Sequence, residues 1–133
     1  MNENFMKVAI EEAKKAFKIN EIPVGAIIVK DNKIIAKAHN LKEKNQNPLH
    51  HAEILAIESA CSLLNNWRLN DCDIYVTLEP CEMCRSIIKK SRIKNIFYYS
   101  KQNDHNTESN PNYKYMENDL FSNKLSNFFK SRR

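Results

Sequence analysis

Two short patches carry residues whose types and spacing could do chemistry together: His51-Ala52-Glu53, and Glu79-Pro80-Cys81-Glu82-Met83-Cys84. One imidazole, two thiols and a carboxylate suffice to hold a catalytic zinc ion and use it. Three protein ligands fill three corners of a tetrahedron and leave the fourth to water. Zinc lowers the pKa of that water from 15.7 to about 7, so a hydroxide nucleophile exists at neutral pH. A carboxylate that is not a ligand can then shuttle the protons that hydrolysis requires. The predicted ligands are therefore His51, Cys81 and Cys84, holding one Zn2+ per chain, with Glu53 as the proton carrier.

The elements that position these groups must be helices. Cys81 and Cys84 have the spacing of neighbours on one helical face, and Pro80 suits a first turn, where its missing N–H costs nothing. A helix N-terminus favours thiolate over thiol. Ile54, Leu55, Ile57, Cys61 and Leu64 recur at helical spacing after His51, so a second helix opens at the other patch. His51 and Glu53 are too close in sequence to share a face, so one binds metal while the other points elsewhere. Cys-x-x-Cys alone also occurs in redox sites and zinc ribbons. A structural zinc, however, needs a fourth ligand. Cys72, between two aspartates, and His50, beside His51, are poor candidates. A redox site leaves His-Ala-Glu unexplained.

The bulk of the chain bounds the fold. Its 133 residues suit one domain spanning 1–133, and 42% hydrophobic with 28% charged residues is an ordinary globular balance. No apolar run approaches the length of a membrane span and no signal-like segment opens the chain, so a cytoplasmic protein is expected. Cys61 and Cys72 read as buried free thiols, which fits a reducing compartment. The net charge of +5 is compatible with a polyanionic partner but carries little weight alone.

Apolar residues from Phe5 to Phe17 predict an amphipathic helix over 3–18, whose lysines form a solvated face. Strands over 24–30 and 33–38 form a hairpin about Asp31-Asn32. Gly25, the sole glycine, suggests a bulge or close backbone approach, read here as an opening for substrate. A loop over 39–49 holds Asn40, either a loop-capping amide or a ligand-binding one. Helix 50–65, strand 73–78, helix 81–91 and strand 94–99 follow. This alternation predicts an α/β fold with a partly parallel sheet and helices on both faces. Ligands of such sheets bind beyond the strands' carboxyl ends. Arg85, Lys89, Lys90, Arg92 and Lys94 could track a phosphate backbone or simply face solvent. A mobile loop over 101–112 and a closing helix over 116–129 complete the reading.

His-x-Glu followed by Pro-Cys-x-x-Cys resembles the signature of zinc nucleobase deaminases. Further stretches resemble the bacterial tRNA-specific adenosine deaminases: Glu21–Ala26, His39-Asn40, Asn66–Leu69, Tyr75–Cys81, Ser91–Ile93 and Leu125–Phe129. The likeness implies a cytidine-deaminase-like three-layer α/β/α fold with a mixed sheet of four to five strands. It implies hydrolysis of adenosine to inosine at the wobble position of tRNA, a tRNA anticodon stem-loop as partner, and a homodimer. It also implies that Asn40 hydrogen-bonds the purine, with Ala52, Glu79 and Pro80 completing the substrate-binding set.

The chain departs from that family at Arg85-Ser86, where small residues are usual, at Tyr99–Gln102, which lacks a Gly-Ala-x-Asp turn, and in a shorter following loop. All three lie on the nucleic-acid side. Two rival readings stay open: a deaminase of free guanine, cytosine or their nucleosides, and a non-catalytic RNA-binding paralogue.

Overall fold

The computed structural model of the chain describes residues 2–101 and 112–115. The elements run α1 (Glu3–Lys18), β1 (Gly25–Lys30), β2 (Lys33–His39), α2 (Ala52–Leu64), β3 (Cys72–Leu78), α3 (Glu82–Lys90), β4 (Asn95–Ser100) and β5 (Tyr113–Tyr115). The sheet order is β2-β1-β3-β4-β5, with β1 antiparallel to both its neighbours and β3, β4 and β5 parallel. The predicted mixed sheet is thus present, and its fifth strand is reduced to three residues. The predicted loop at 101–112 lies outside the described residues except at its ends, and the predicted helix at 116–129 lies outside them entirely. No helix among the described residues is long and apolar enough to cross a membrane.

Alternation along each strand divides the core between two faces. On one face, Met6, Ala9, Ile10 and Ala13 of α1 cover Ile27, Val29, Tyr75, Phe97 and Tyr99. On the other, Ala52, Ala56, Ile57 and Ala60 of α2, with Ile88 of α3, cover Ala26, Ile28, Ile74, Val76 and Ile96. Each aliphatic side chain taken fully from water contributes about 2 kcal/mol, so these faces, rather than helix propensity, hold the three layers together. Asp31 and Asn32 turn the hairpin with φ of 51° and 62°. Positive φ at both central residues matches the strands' twist, and Asp and Asn tolerate it.

Gly25 departs from its predicted role. A Cβ there would collide with the Ala9 carbonyl oxygen and lie 2.6 Å from the Ala13 nitrogen and 2.8 Å from Glu12 Cβ. The close approach is that of α1 to β1, made possible by small residues on the helix, and α1 fills the space beside Gly25. Helix starts also shift: α2 begins at Ala52, and α3 at Glu82, which leaves Pro80 outside the helix.

Gly25→Ala therefore forces α1 off the sheet, and should cost about 3 kcal/mol as an overpacked core position. Urea unfolding would measure this, and a loss under about 0.5 kcal/mol, the range of ordinary surface substitutions, would contradict the packing described.

Candidate metal centre and active site

The chain leaves β2 at His39, crosses a loop, and enters α2 at His51. It leaves β3 at Leu78, passes Glu79 and Pro80, and enters α3 at Cys81. His51 and Cys81 are the N-caps of α2 and α3, both with extended backbone, and neither side chain makes a capping hydrogen bond. Both side chains are turned instead to one point, which Cys84 reaches from within the first turn of α3. The half-helical N-cap preserves the facing relation that the Cys-x-x-Cys spacing implied.

Cys84 Sγ lies 3.6 Å and Cys81 Sγ 4.0 Å from His51 Nδ1, and all three donor atoms fall within 4.8 Å of one another. A tetrahedral ion with Zn–S of about 2.3 Å and Zn–N of about 2.0–2.1 Å separates its sulfur and nitrogen ligands by about 3.6 Å. The donor set and its spacing fit zinc. Neither of the alternative fourth ligands joins. Cys72 is buried at the start of β3, and His50 Nδ1 lies 3.0 Å from Asn45 Nδ2. Among the described residues no fourth protein donor joins the three, which leaves a position for a non-protein ligand, the feature that separates catalytic from structural zinc.

Electrostatics distinguish the two sulfurs. The Cys84 thiol donates to Cys81, and His51 adjoins it, holding the Cys81 pKa down to about 3. Cys84 is pushed up, as the donor of that pair and by burial. The hydrogen bond between His51 and Cys81 raises the His51 pKa, against the opposing effect of burial. Glu53 follows His51 into the first turn of α2 and is 4% exposed. Burial pushes its carboxyl up to about 7, partly offset by its own backbone N–H and by His51. A carboxyl poised there can both take and give a proton near neutral pH.

Asn40 is also buried, and its Oδ1 accepts the Ala52 N–H at 2.7 Å. The loop-capping reading is thus realised: the amide satisfies a first-turn donor of α2, beside His51 and Glu53. Because a backbone N–H can only donate, the oxygen's placement is fixed and the amide nitrogen faces the other way.

Glu79 and Pro80 stand at the same edge in a different setting. Arg85 Nη2 pairs with Glu79 Oε2 at 2.8 Å, its Nε donates to the Pro80 carbonyl at 3.1 Å, and its guanidinium lies 5.2 Å from the centre of the Tyr113 ring. The bulky residue after the second cysteine is therefore drawn to the turn before α3 and to β5. Sequence reasoning missed this pairing, because Glu79 and Arg85 lie on opposite sides of a helix start and fit no regular spacing. It also missed Glu21, a buried carboxylate that accepts the Glu43 and Lys44 N–H groups at 3.0 and 2.7 Å and anchors the loop joining Asn40 to His51.

A mixed α/β sheet carrying a His, Cys, Cys donor set at two helix starts, with a buried carboxylate beside it, is the arrangement of a zinc-dependent hydrolytic deaminase. A family profile for the cytidine and deoxycytidylate deaminase zinc-binding region matches residues 1–100. The chain belongs to that family. It is 50% identical over 103 residues to the tRNA-specific adenosine deaminase of Aquifex aeolicus, covering 77% of this chain and 68% of that protein. It is also 50% identical over 111 residues to that of Rickettsia felis, covering 81% and 77%. Among solved structures, a protein from studies of A-to-I editing by tRNA:A34 deaminases superposes with a TM-score of 0.77 at 32% identity, covering 84% of this chain and 96% of that one. Guanine deaminase from Bacillus subtilis superposes with a TM-score of 0.74 at 31% identity, covering 99% and 94%.

Zinc quantification tests the donor set. The wild-type chain is expected to carry one zinc, Cys84→Ala to lose it, and Glu53→Gln to retain it. Full zinc occupancy in Cys84→Ala would refute the assignment.

Proposed function

We propose that this chain is a tRNA adenosine deaminase that converts adenosine to inosine at the wobble position of an anticodon stem-loop. The observation that carries the reading is the buried Glu53 beside three convergent metal donors. The half-identity to relatives named for this activity supports the choice of substrate. The 133 residues act as one deaminase domain, working as a homodimer in the cytoplasm. The exposed Leu63 at the end of α2 and the exposed Trp67 just beyond it offer apolar surface for such pairing.

His51, Cys81 and Cys84 would hold zinc, and the bound ion would supply the Lewis acidity that lowers a water's pKa to about 7. Glu53 takes up the proton that the attacking water releases and delivers it to N1 of the adenine ring. With the water oxygen now bonded to C6, Glu53 takes the remaining proton of that hydroxyl and passes it to the amino group, so that the C6–N bond breaks and a C6=O bond forms, yielding inosine and ammonia. The Asn40 amide N–H groups donate to the purine while its oxygen is held by the Ala52 N–H. Glu79 and Pro80 line the facing side of the base. A stacked base hides C6, so the target nucleotide must be splayed from its loop.

The likeness to guanine deaminase keeps a free-base reading in play, and one assay separates the two. Incubated with a wobble-adenosine stem-loop, the protein should produce inosine, read as an A-to-G change on sequencing. Glu53→Ala should reduce that rate about a thousand-fold, the scale of general acid–base catalysis, without loss of zinc. Turnover of free guanine, with an untouched stem-loop, would replace the tRNA reading with the nucleobase one.

A further inference from the structure

Apart from Glu53 at the metal centre and Glu79 with Arg85, the described residues hold a further buried carboxylate with a titratable partner, on the α1 side of the sheet. Glu12 of α1 is 4% exposed. Its Oε1 lies 3.0 Å from His39 Nδ1 and its Oε2 lies 2.6 Å from Lys15 Nζ. Burial alone would raise the Glu12 pKa, but hydrogen bonds from Lys15 and His39 outweigh it and hold the carboxyl below its ordinary value. An ionised carboxylate only accepts, so His39 Nδ1 carries the proton it donates.

His39 is the last residue of β2, opposite Gly25 in the ladder. Asn40 follows it. Successive side chains of an extended backbone point to opposite faces of the sheet, so His39 meets α1 while Asn40 meets the N-terminus of α2. Among the described residues β2 is also an edge strand, with β1 as its one neighbour. The Asn40 N–H donates to the Val24 carbonyl at 3.1 Å, so the end of β2 is tied to β1 by its backbone and to α1 by the His39 side chain. Gly25 explains how α1 reaches it: the missing Cβ lets the backbone around Ala9 and Ala13 settle on β1, bringing Glu12 level with His39.

We propose that Glu12 and His39 are positioning residues for Asn40. The Glu12–His39 hydrogen bond on one face of the sheet fixes the strand end, so that on the other face the Asn40 oxygen meets the Ala52 N–H and its amide nitrogen is presented to the base. The base contact rests on the tRNA reading above. The coupling from His39 to Ala52 does not.

The test combines amide hydrogen exchange with kinetics on the zinc-loaded protein. His39→Ala should accelerate exchange of the Ala52 N–H about tenfold, the scale of one lost hydrogen bond. It should leave Ile74 and Val76 in β3 as protected as before and zinc at one per chain. His39→Asn, whose amide puts an N–H where Nδ1 stood, should return Ala52 exchange to near the wild-type rate. Glu12→Ala should reproduce the effect of His39→Ala. On a wobble-adenosine stem-loop, kcat/KM should fall about tenfold in His39→Ala and recover in His39→Asn. Unchanged Ala52 exchange in His39→Ala, or a His39→Asn variant as impaired as His39→Ala, would overturn the proposal. If the wild type makes no inosine, the tRNA reading falls, while the exchange data still decide the coupling.

Discussion

Everything at this site depends on two helix N-termini arriving at one point with their capping positions given over to metal donors. An N-cap side chain ordinarily accepts an N–H of the first turn, and losing that bond costs about 1 kcal/mol. His51 and Cys81 forgo it. For α2 the deficit is partly made good from another element, since Asn40 Oδ1 takes the Ala52 N–H. The remaining cost falls on packing. Ala52, Ala56, Ile57 and Ala60 of α2, with Ile88 of α3, are all buried against the sheet. At about 2 kcal/mol for an aliphatic side chain the size of Ile, that burial outweighs a lost cap. The positive ends of both helix dipoles then point at the donors, which favours thiolate sulfur.

The same placement sets the acidity of the carboxylate beside the donors. Glu53 lies in the first turn of α2, where an N-terminal dipole favours its charged form, yet it is buried deeply enough that the opposing effect wins and its pKa is raised to about 7. An exposed glutamate at the same helix position would keep the ordinary carboxylate acidity and hold a proton far less often at neutral pH. Burial by the layers of the fold, rather than any single partner, sets the chemistry of this group.

The donors, the carboxylate, the α/β class and the order of elements were legible in the sequence because each rests on local spacing. His-x-Glu and Cys-x-x-Cys keep their geometry wherever they open a helix, and β1 through β4 alternate or run apolar as buried strands do. What escaped was tertiary. A lone glycine in a strand signals that something approaches closely, but not whether it is a ligand or a helix, and at Gly25 it is α1. The caps were misplaced by one or two residues because His51 and Cys81 are not usual capping types, so no Ser, Thr, Asp or Asn marks where α2 and α3 begin. β5 was legible only as a possibility, since Tyr-Lys-Tyr is too short for an alternation to register.

Arg85 shows how a residue that looks obstructive from sequence can be accommodated by charge. A guanidinium beside a metal ligand would oppose a second cation if it pointed at the metal. Here its two polar edges are taken by the Glu79 carboxylate and the Pro80 carbonyl, and it packs over Tyr113. Glu79 is itself buried at the end of β3, where an unpaired carboxylate would be costly, so each group removes the other's liability. Because Glu79 and Pro80 lead into Cys81, this pairing also stiffens the turn that delivers a sulfur to the donor set, and through Tyr113 it ties that turn to the edge of the sheet. The departure from the small residues usual at Arg85 is thus absorbed by neighbours on the sheet's edge, which leaves the metal side of α3 unaltered.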